Sequence, residues 1–200
     1  MLQCNIINFI CIFNRTIMNR KSFIRLLAAI PAFNIPFRSL AAMPTLEECK
    51  THGDAEGPFY KANAPHRSVI ETKGEALKIS GRVFKSGDCR TPVGKAVLDI
   101  WHCNNEGNYD MNGFKGRGCV ISDSNGRYTF TTILPPPYGS RPRHIHFKVR
   151  AEGFPELTTQ LYFHGDPNIQ NDFARNAERD RVIALKSEDH LKTGVFDIYI

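Results

Sequence analysis

His144 and His146 stand two residues apart in the alternating run His144-Ile-His-Phe-Lys-Val-Arg150. In an extended strand, side chains at i and i+2 leave the same face. Both imidazoles therefore point one way, while Ile145, Phe147 and Val149 point the other. A strand offers two nitrogen ligands to one metal ion in this manner. The same spacing also fits two histidines on a solvated face, so the pair gains meaning only from its neighbours. Tyr138 lies just upstream on a Pro135-Pro-Pro137 approach, and Tyr109 closes the segment Trp101-His-Cys-Asn-Asn-Glu-Gly-Asn-Tyr109. A phenolate is a hard, anionic oxygen donor. Two phenolates with two imidazoles favour an ion of high charge, with Fe(III) the natural occupant; zinc is better served by thiolate or imidazole alone. A tyrosine, with an ordinary pKa of about 10, ionises once a trivalent cation binds it. Cupin-type sites also use His-x-His, but add an acidic ligand four or five residues on, where this chain has Arg150 and Ala151.

The elements that must carry these residues read as β. Alternating or apolar runs occupy Leu77–Phe84, Ala96–His102, Arg127–Leu134, His144–Arg150, Leu157–Phe163 and Val195–Ile200. Turn clusters rich in Gly, Asn, Asp and Pro separate them, which predicts a sandwich or barrel rather than a parallel α/β sheet. The expected fold is mainly β, an antiparallel β-sandwich with long loops. Only 171–186 has helical spacing, with Phe173, Ala177 and Val182 on one side, and predicts one short C-terminal helix. Trp101 and Tyr128, large aromatics at alternating strand positions, are expected in the core.

The net charge of +6 over 200 residues is unevenly spread. Residues 1–43 hold Arg15, Arg20, Lys21, Arg25 and Arg38 and no Asp or Glu, which leaves 21 basic against 20 acidic side chains in the body. Nothing there suggests a groove for a polyanion, so nucleic acid is not an expected partner. Residues 1–41 read as a targeting segment. Arg20-Lys21 precede the apolar run Phe23–Ile30, and Ser39-Leu40-Ala41 satisfies the small-x-small cleavage rule. Arg25, Pro31, Pro36 and Arg38 interrupt the roughly 20 apolar residues that a span needs, so no stable membrane insertion is expected after its removal. An uncleaved anchor is the rival reading. Asn19-Arg-Lys-Ser-Phe-Ile24 also resembles a twin-arginine signal with Lys21 in the second arginine position. The expectation is export, to a periplasm or the exterior, of a single domain at 42–200. Cys49, Cys89, Cys103 and Cys119 remain in that domain, compatible with two disulfides in an oxidising compartment or with four buried thiols. A Cys89–Cys103 bridge is disfavoured, because the two flank a strand and would lie beyond the roughly 7 Å limit on Cα separation.

Several runs occur in a telling order: Glu56-Gly-Pro-Phe-Tyr60; Asp99-Ile-Trp-His-Cys-Asn104 with Gly107 and Tyr109; Arg117-Gly118 with Asp123 and Gly126-Arg-Tyr128; and Tyr138 with Arg141-Pro-Arg-His-Ile-His-Phe147 and Thr159-Gln160. Together they resemble the intradiol ring-cleavage dioxygenases, the group of the catechol 1,2- and protocatechuate 3,4-dioxygenases, over residues 49–165. The resemblance implies a β-sandwich with Fe(III) held by Tyr109, Tyr138, His144 and His146. It implies O2 as co-substrate, a catechol-type aromatic diol as substrate, and a cis,cis-muconate-type diacid as product. By matching positions, Tyr138 is the tyrosinate that leaves the iron when substrate binds, Arg141 and Gln160 flank the substrate, and Pro58 lines the pocket. No nicotinamide, flavin or haem site is expected, and a homo-oligomer is compatible with this reading. The family's better-known enzymes have a longer segment between the second tyrosine and the arginine. Here only Gly139-Ser140 intervene, so substrate choice is not inherited. Two other functions remain open at this point: an exported, non-catalytic β-sandwich binding module, and a different metalloenzyme using His144 and His146 alone.

Overall fold

The structure, a computed structural model, describes residues 49–177 and 180–200. The targeting segment expected at 1–41, and the domain boundary after it, lie outside the described residues.

Two mixed five-stranded sheets face each other. In the first, β1 (Ala76–Phe84) is central. It pairs antiparallel with β4 (Arg127–Ile133), parallel with β9 (Leu191–Val195) and, at its far end, parallel with β10 (Ile198–Tyr199). The short β8 (Lys186–Glu188) continues this sheet beyond β9. The second sheet runs in the order β3 (Arg117–Ile121), β2 (Val97–Trp101), β5 (His144–Arg150), β6 (Leu157–Phe163) and β7 (Val182–Ile183). Its ladders are antiparallel except β6 with β7. The architecture is the expected β-sandwich.

Strand parity decides which side chains fill the space between the sheets. Leu77, Ile79 and Val83 come from β1, Leu98 and Ile100 from β2, Ile145, Phe147 and Val149 from β5, and all are essentially inaccessible. Phe147 reaches across to Phe130 at 5.9 Å and Phe196 at 5.3 Å between ring centroids, in edge-on and tilted contacts that aromatic pairs prefer. Each fully buried side chain of this size contributes about 1.5–3 kcal/mol. Gly81 marks the closest backbone approach: a Cβ there would lie 1.9 Å from the Phe196 carbonyl oxygen.

Two expectations need correction. Among its described residues, the segment 171–186 forms no α-helix. Two 3-10 turns, Ile169–Asn171 and Phe173–Ala177, are followed by β7 and the start of β8. The 3.6-residue spacing of Phe173 and Ala177 was misleading, because Phe173 is half exposed while Ala174 and Ala177 pack on Tyr162. Among the described residues the cysteines form one disulfide, Cys49–Cys89, and Cys103 and Cys119 are free thiols. Trp101 is buried as expected, although it packs outside the intersheet cluster. It shares strand parity with Asp99, on the opposite face of β2 from Leu98 and Ile100. Tyr128 is in the core as expected.

Candidate metal centre

β5 presents His144 and His146 on the face turned away from the intersheet core, yet both are only 3% exposed. A pair on a solvated face is therefore excluded. What covers them is a set of loops. The segment at Gly57–Phe59 crosses His146, and a Cβ on Gly57 would stand 3.7 Å from the ring carbon Cε1. Phe59 stacks on Tyr109 with ring centroids 4.2 Å apart and meets Tyr138 edge-on at 5.6 Å.

Tyr109 sits between two turns built by side-chain oxygens. Asn104 Oδ1 accepts the N–H groups of Glu106 and Asn108, and the Asp110 carboxylate accepts those of Asn112, Gly113 and Lys115. Such Asx contacts fix loops that have no ladder of their own. The Arg117 guanidinium, 2% exposed, donates to the Asp110 and Phe59 carbonyls and so ties both covers of the Tyr109 ring together. Tyr138 begins a tight turn. Arg141 N–H donates to the Tyr138 carbonyl at 3.0 Å, and Gly139 takes φ 58°, a conformation glycine adopts without strain. The two-residue link thus brings the Tyr138 and Arg141 backbones side by side just before β5.

The four side chains converge. Tyr109 Oη lies 3.2 Å from His144 Nε2, the Tyr109 and Tyr138 rings meet edge-on at 5.4 Å, and the two imidazoles are 4.9 Å apart. His144 Nδ1 donates to the Pro142 carbonyl at 2.7 Å, which leaves Nε2 as a bare lone pair facing Tyr109. Burial lowers the pKa of His144, and burial with the neighbouring His144 lowers that of His146 further, so both rings are neutral. His146 Nδ1 is buried and has no hydrogen-bond partner. An unmet buried nitrogen of this kind costs about 1–3 kcal/mol, which a ligand, an ion or an ordered water would relieve. Burial pushes the Tyr109 phenol up, so a cation is needed to ionise it. Neutral imidazoles and phenols at ligand spacing fit a hard, highly charged ion. Among the described residues no three His, Cys, Asp or Glu side chains are grouped to hold a metal, so an ion here requires the phenols.

The other sequence-predicted residues fall in different places. Gln160 is fully buried, and its register partner across the β5–β6 ladder is His146. Its Nε2 donates to the Ala55 carbonyl at 2.5 Å. Arg141 is bound to Asp172 through Nε at 3.2 Å and Nη2 at 3.3 Å, with the Phe173 ring 4.2 Å from its guanidinium carbon. Burial opposes its charge, but Asp172 and Tyr162 together more than offset this and keep it cationic. Pro58 is exposed in the covering turn, and its neighbour Phe59 makes the aromatic contacts. The sequence reading missed Phe59, Trp101, Arg117, Asp172 and Tyr162. Parity along β2 was the available signal for Trp101, since Leu98 and Ile100 claim the other face. A surface depression of about 1100 Å³ along Lys78, Arg82, Arg127 and Tyr128 includes none of the four candidate donors.

Comparison with known proteins agrees with this geometry. A family model described as Dioxygenase matches residues 55–197. Catechol 1,2-dioxygenase 2 of Acinetobacter lwoffii is 36% identical over 157 residues, which span 64% of this chain and 56% of that relative's length. The dioxygenase domain of a dioxygenase and carbohydrate-binding protein fusion from Streptomyces sp. SirexAA-E superposes with TM-score 0.70 at 36% identity, covering 76% of this chain and 97% of that one. The 3-chlorocatechol 1,2-dioxygenase of Rhodococcus opacus 1CP superposes with TM-score 0.66 at 25% identity, covering 74% and 71%. With the matched region spanning every strand of the sandwich up to β9, and all four converging donors inside it, the chain belongs to the intradiol ring-cleavage dioxygenase family.

Proposed function

We propose that this protein is an Fe(III)-dependent intradiol dioxygenase that inserts both atoms of O2 into a catechol-type ring and yields a cis,cis-muconate-type diacid. The observation that carries the reading is a pair of adjacent buried imidazoles with the Tyr109 hydroxyl against His144 and the Tyr138 ring against Tyr109, one imidazole having an unpartnered nitrogen. Tyr109, Tyr138, His144 and His146 would hold the ion. When bound, Fe(III) supplies Lewis acidity and a template for the diol.

The chain's own groups supply the rest. Tyr138, half-buried on its turn, would as the tyrosinate accept a hydroxyl proton from the diol at its phenolic oxygen and become the neutral phenol. Arg141 offers a permanent positive charge to balance negative charge growing on the ring oxygens. Gln160 offers a polar edge beside His146. Phe59 and the turn at Gly57-Pro58 cover the donors and exclude water. A small aromatic diol is the partner this site suits. Export of the chain is part of the same proposal, supported by the Cys49–Cys89 disulfide, which suits an oxidising compartment; fractionation of cells expressing the full chain tests it.

Loading the protein with Fe(III) tests the ligand set. Tyrosinate bound to Fe(III) absorbs visible light, so the loaded protein is expected to be coloured and Tyr138→Phe to alter the spectrum. A colourless iron-loaded protein, or an unchanged spectrum in that variant, rejects the four-donor site.

A further inference from the structure

Tyr162 lies on β6 directly across from His144, as Gln160 lies across from His146. It is wholly buried, and its hydroxyl is the junction of a polar network under the site. Arg141 Nη2 donates to it at 3.1 Å. Gln160 Oε1 and Asp54 Oδ2 each stand 3.0 Å from it, two acceptors for its single proton. The Asp54 carboxylate also contacts Arg181, so its charge is balanced. Because Gln160 Nε2 is committed to the Ala55 carbonyl, the amide is held with Oε1 toward Tyr162.

The hydroxyl therefore touches both side chains expected to flank the substrate. Burial, then the nearby Asp54, keeps the phenol protonated, so it serves as donor and acceptor at once. Among the described residues, the hydrogen bonds of the Arg141 guanidinium end on Tyr162 and Asp172 alone. A long, flexible arginine held at two points loses its rotamer freedom before substrate arrives. We propose that Tyr162 is a positioning residue of this site, whose hydroxyl sets Arg141 and Gln160 in fixed places beside His144 and His146. The inference rests on the catalytic reading above; its structural half stands apart from it.

Tyr162→Phe keeps the ring, which packs on Ile169, Ala174 and Ala177, and deletes the hydroxyl alone. In the iron-loaded enzyme kcat is expected to fall roughly ten- to a hundredfold, the usual cost of losing a group that orients another, with the visible spectrum retained. Placed on Arg141→Ala, the same change is expected to cost clearly less than in the wild type, only the share that acts through Gln160, because residues that act through one another are not additive. Unchanged kcat, or an equal fall in both backgrounds, overturns the proposal. Crystal structures of the wild type and Tyr162→Phe give a readout independent of activity. The guanidinium of Arg141 and the amide of Gln160 are expected to move or lose order in the variant, and superposition within about 0.5 Å refutes the positioning role. If the wild type turns over no catechol, the catalytic reading fails and the crystals still decide this one.

Discussion

Trp101 and His146 face each other across the β2–β5 ladder, their rings stacked at 4.7 Å with planes 9° apart. The indole fixes the plane of the imidazole from one side, while Tyr60, tilted against Trp101 at 5.0 Å, backs the indole from the other. Tyr60 is itself held by its hydroxyl to Asp99 at 2.8 Å, which Arg150 also binds. The orientation of one candidate ligand thus depends on packing that extends away from the site.

That dependence makes Trp101 a test of the support. Trp101→Ala is expected to lower stability by about 3–5 kcal/mol, the range for emptying a large buried aromatic position, and to weaken iron retention. Trp101→Phe keeps a ring against His146 and should recover most of both. Urea denaturation and iron content after dialysis measure the two effects; an alanine variant with undiminished iron content would show that the stacking is incidental.

His102, next in the chain, gives stability a dependence on pH. It is buried with Nδ1 against the Cys103 carbonyl and Nε2 against the Thr132 hydroxyl, and burial lowers its pKa from 6.5 to about 4. The unfolded chain binds a proton as pH falls through 6.5, whereas the fold does not until about 4. The stabilisation is present in full above 6.5 and is lost as pH falls toward 4, about 3 kcal/mol in all. Denaturation midpoints between pH 7.5 and 4.5 should therefore fall less steeply in His102→Asn than in the wild type. Equal slopes would contradict this assignment.

The Cys49–Cys89 bridge closes a 40-residue separation and ties the start of the described chain to the loop after β1. Cys49→Ser with Cys89→Ser is expected to cost about 2–4 kcal/mol. A reductant should lower the thermal midpoint of the wild type toward that of the variant and leave the variant unchanged. A wild type indifferent to reductant would count against the bridge.

The fold was legible wherever burial was one-sided. Ile145, Phe147 and Val149 alternate with the histidines because one face of β5 meets the core, and period-two alternation survives in sequence. β3 was not visible, since Arg117-Gly-Cys-Val-Ile carries a buried arginine and a glycine where apolar residues would announce a strand. At the candidate site, the four residues proposed as donors could be picked out by type and spacing, because few residue types can serve a hard metal ion. Their supports could not. Tyr162 belongs to an ordinary apolar strand, and Asp172 to a polar loop 31 residues from the arginine it binds. Only the β5–β6 register and the turn after Ile169–Asn171 bring them to the ligand strand.

If the four candidate donors serve ring cleavage with oxygen, oxygen uptake with a panel of catechols in 18O2, with product identification, shows it most directly. One O2 is expected to be consumed per diol, with a cis,cis-muconate-type diacid carrying two 18O atoms. Background oxygen uptake across the panel in iron-loaded, coloured protein would contradict it.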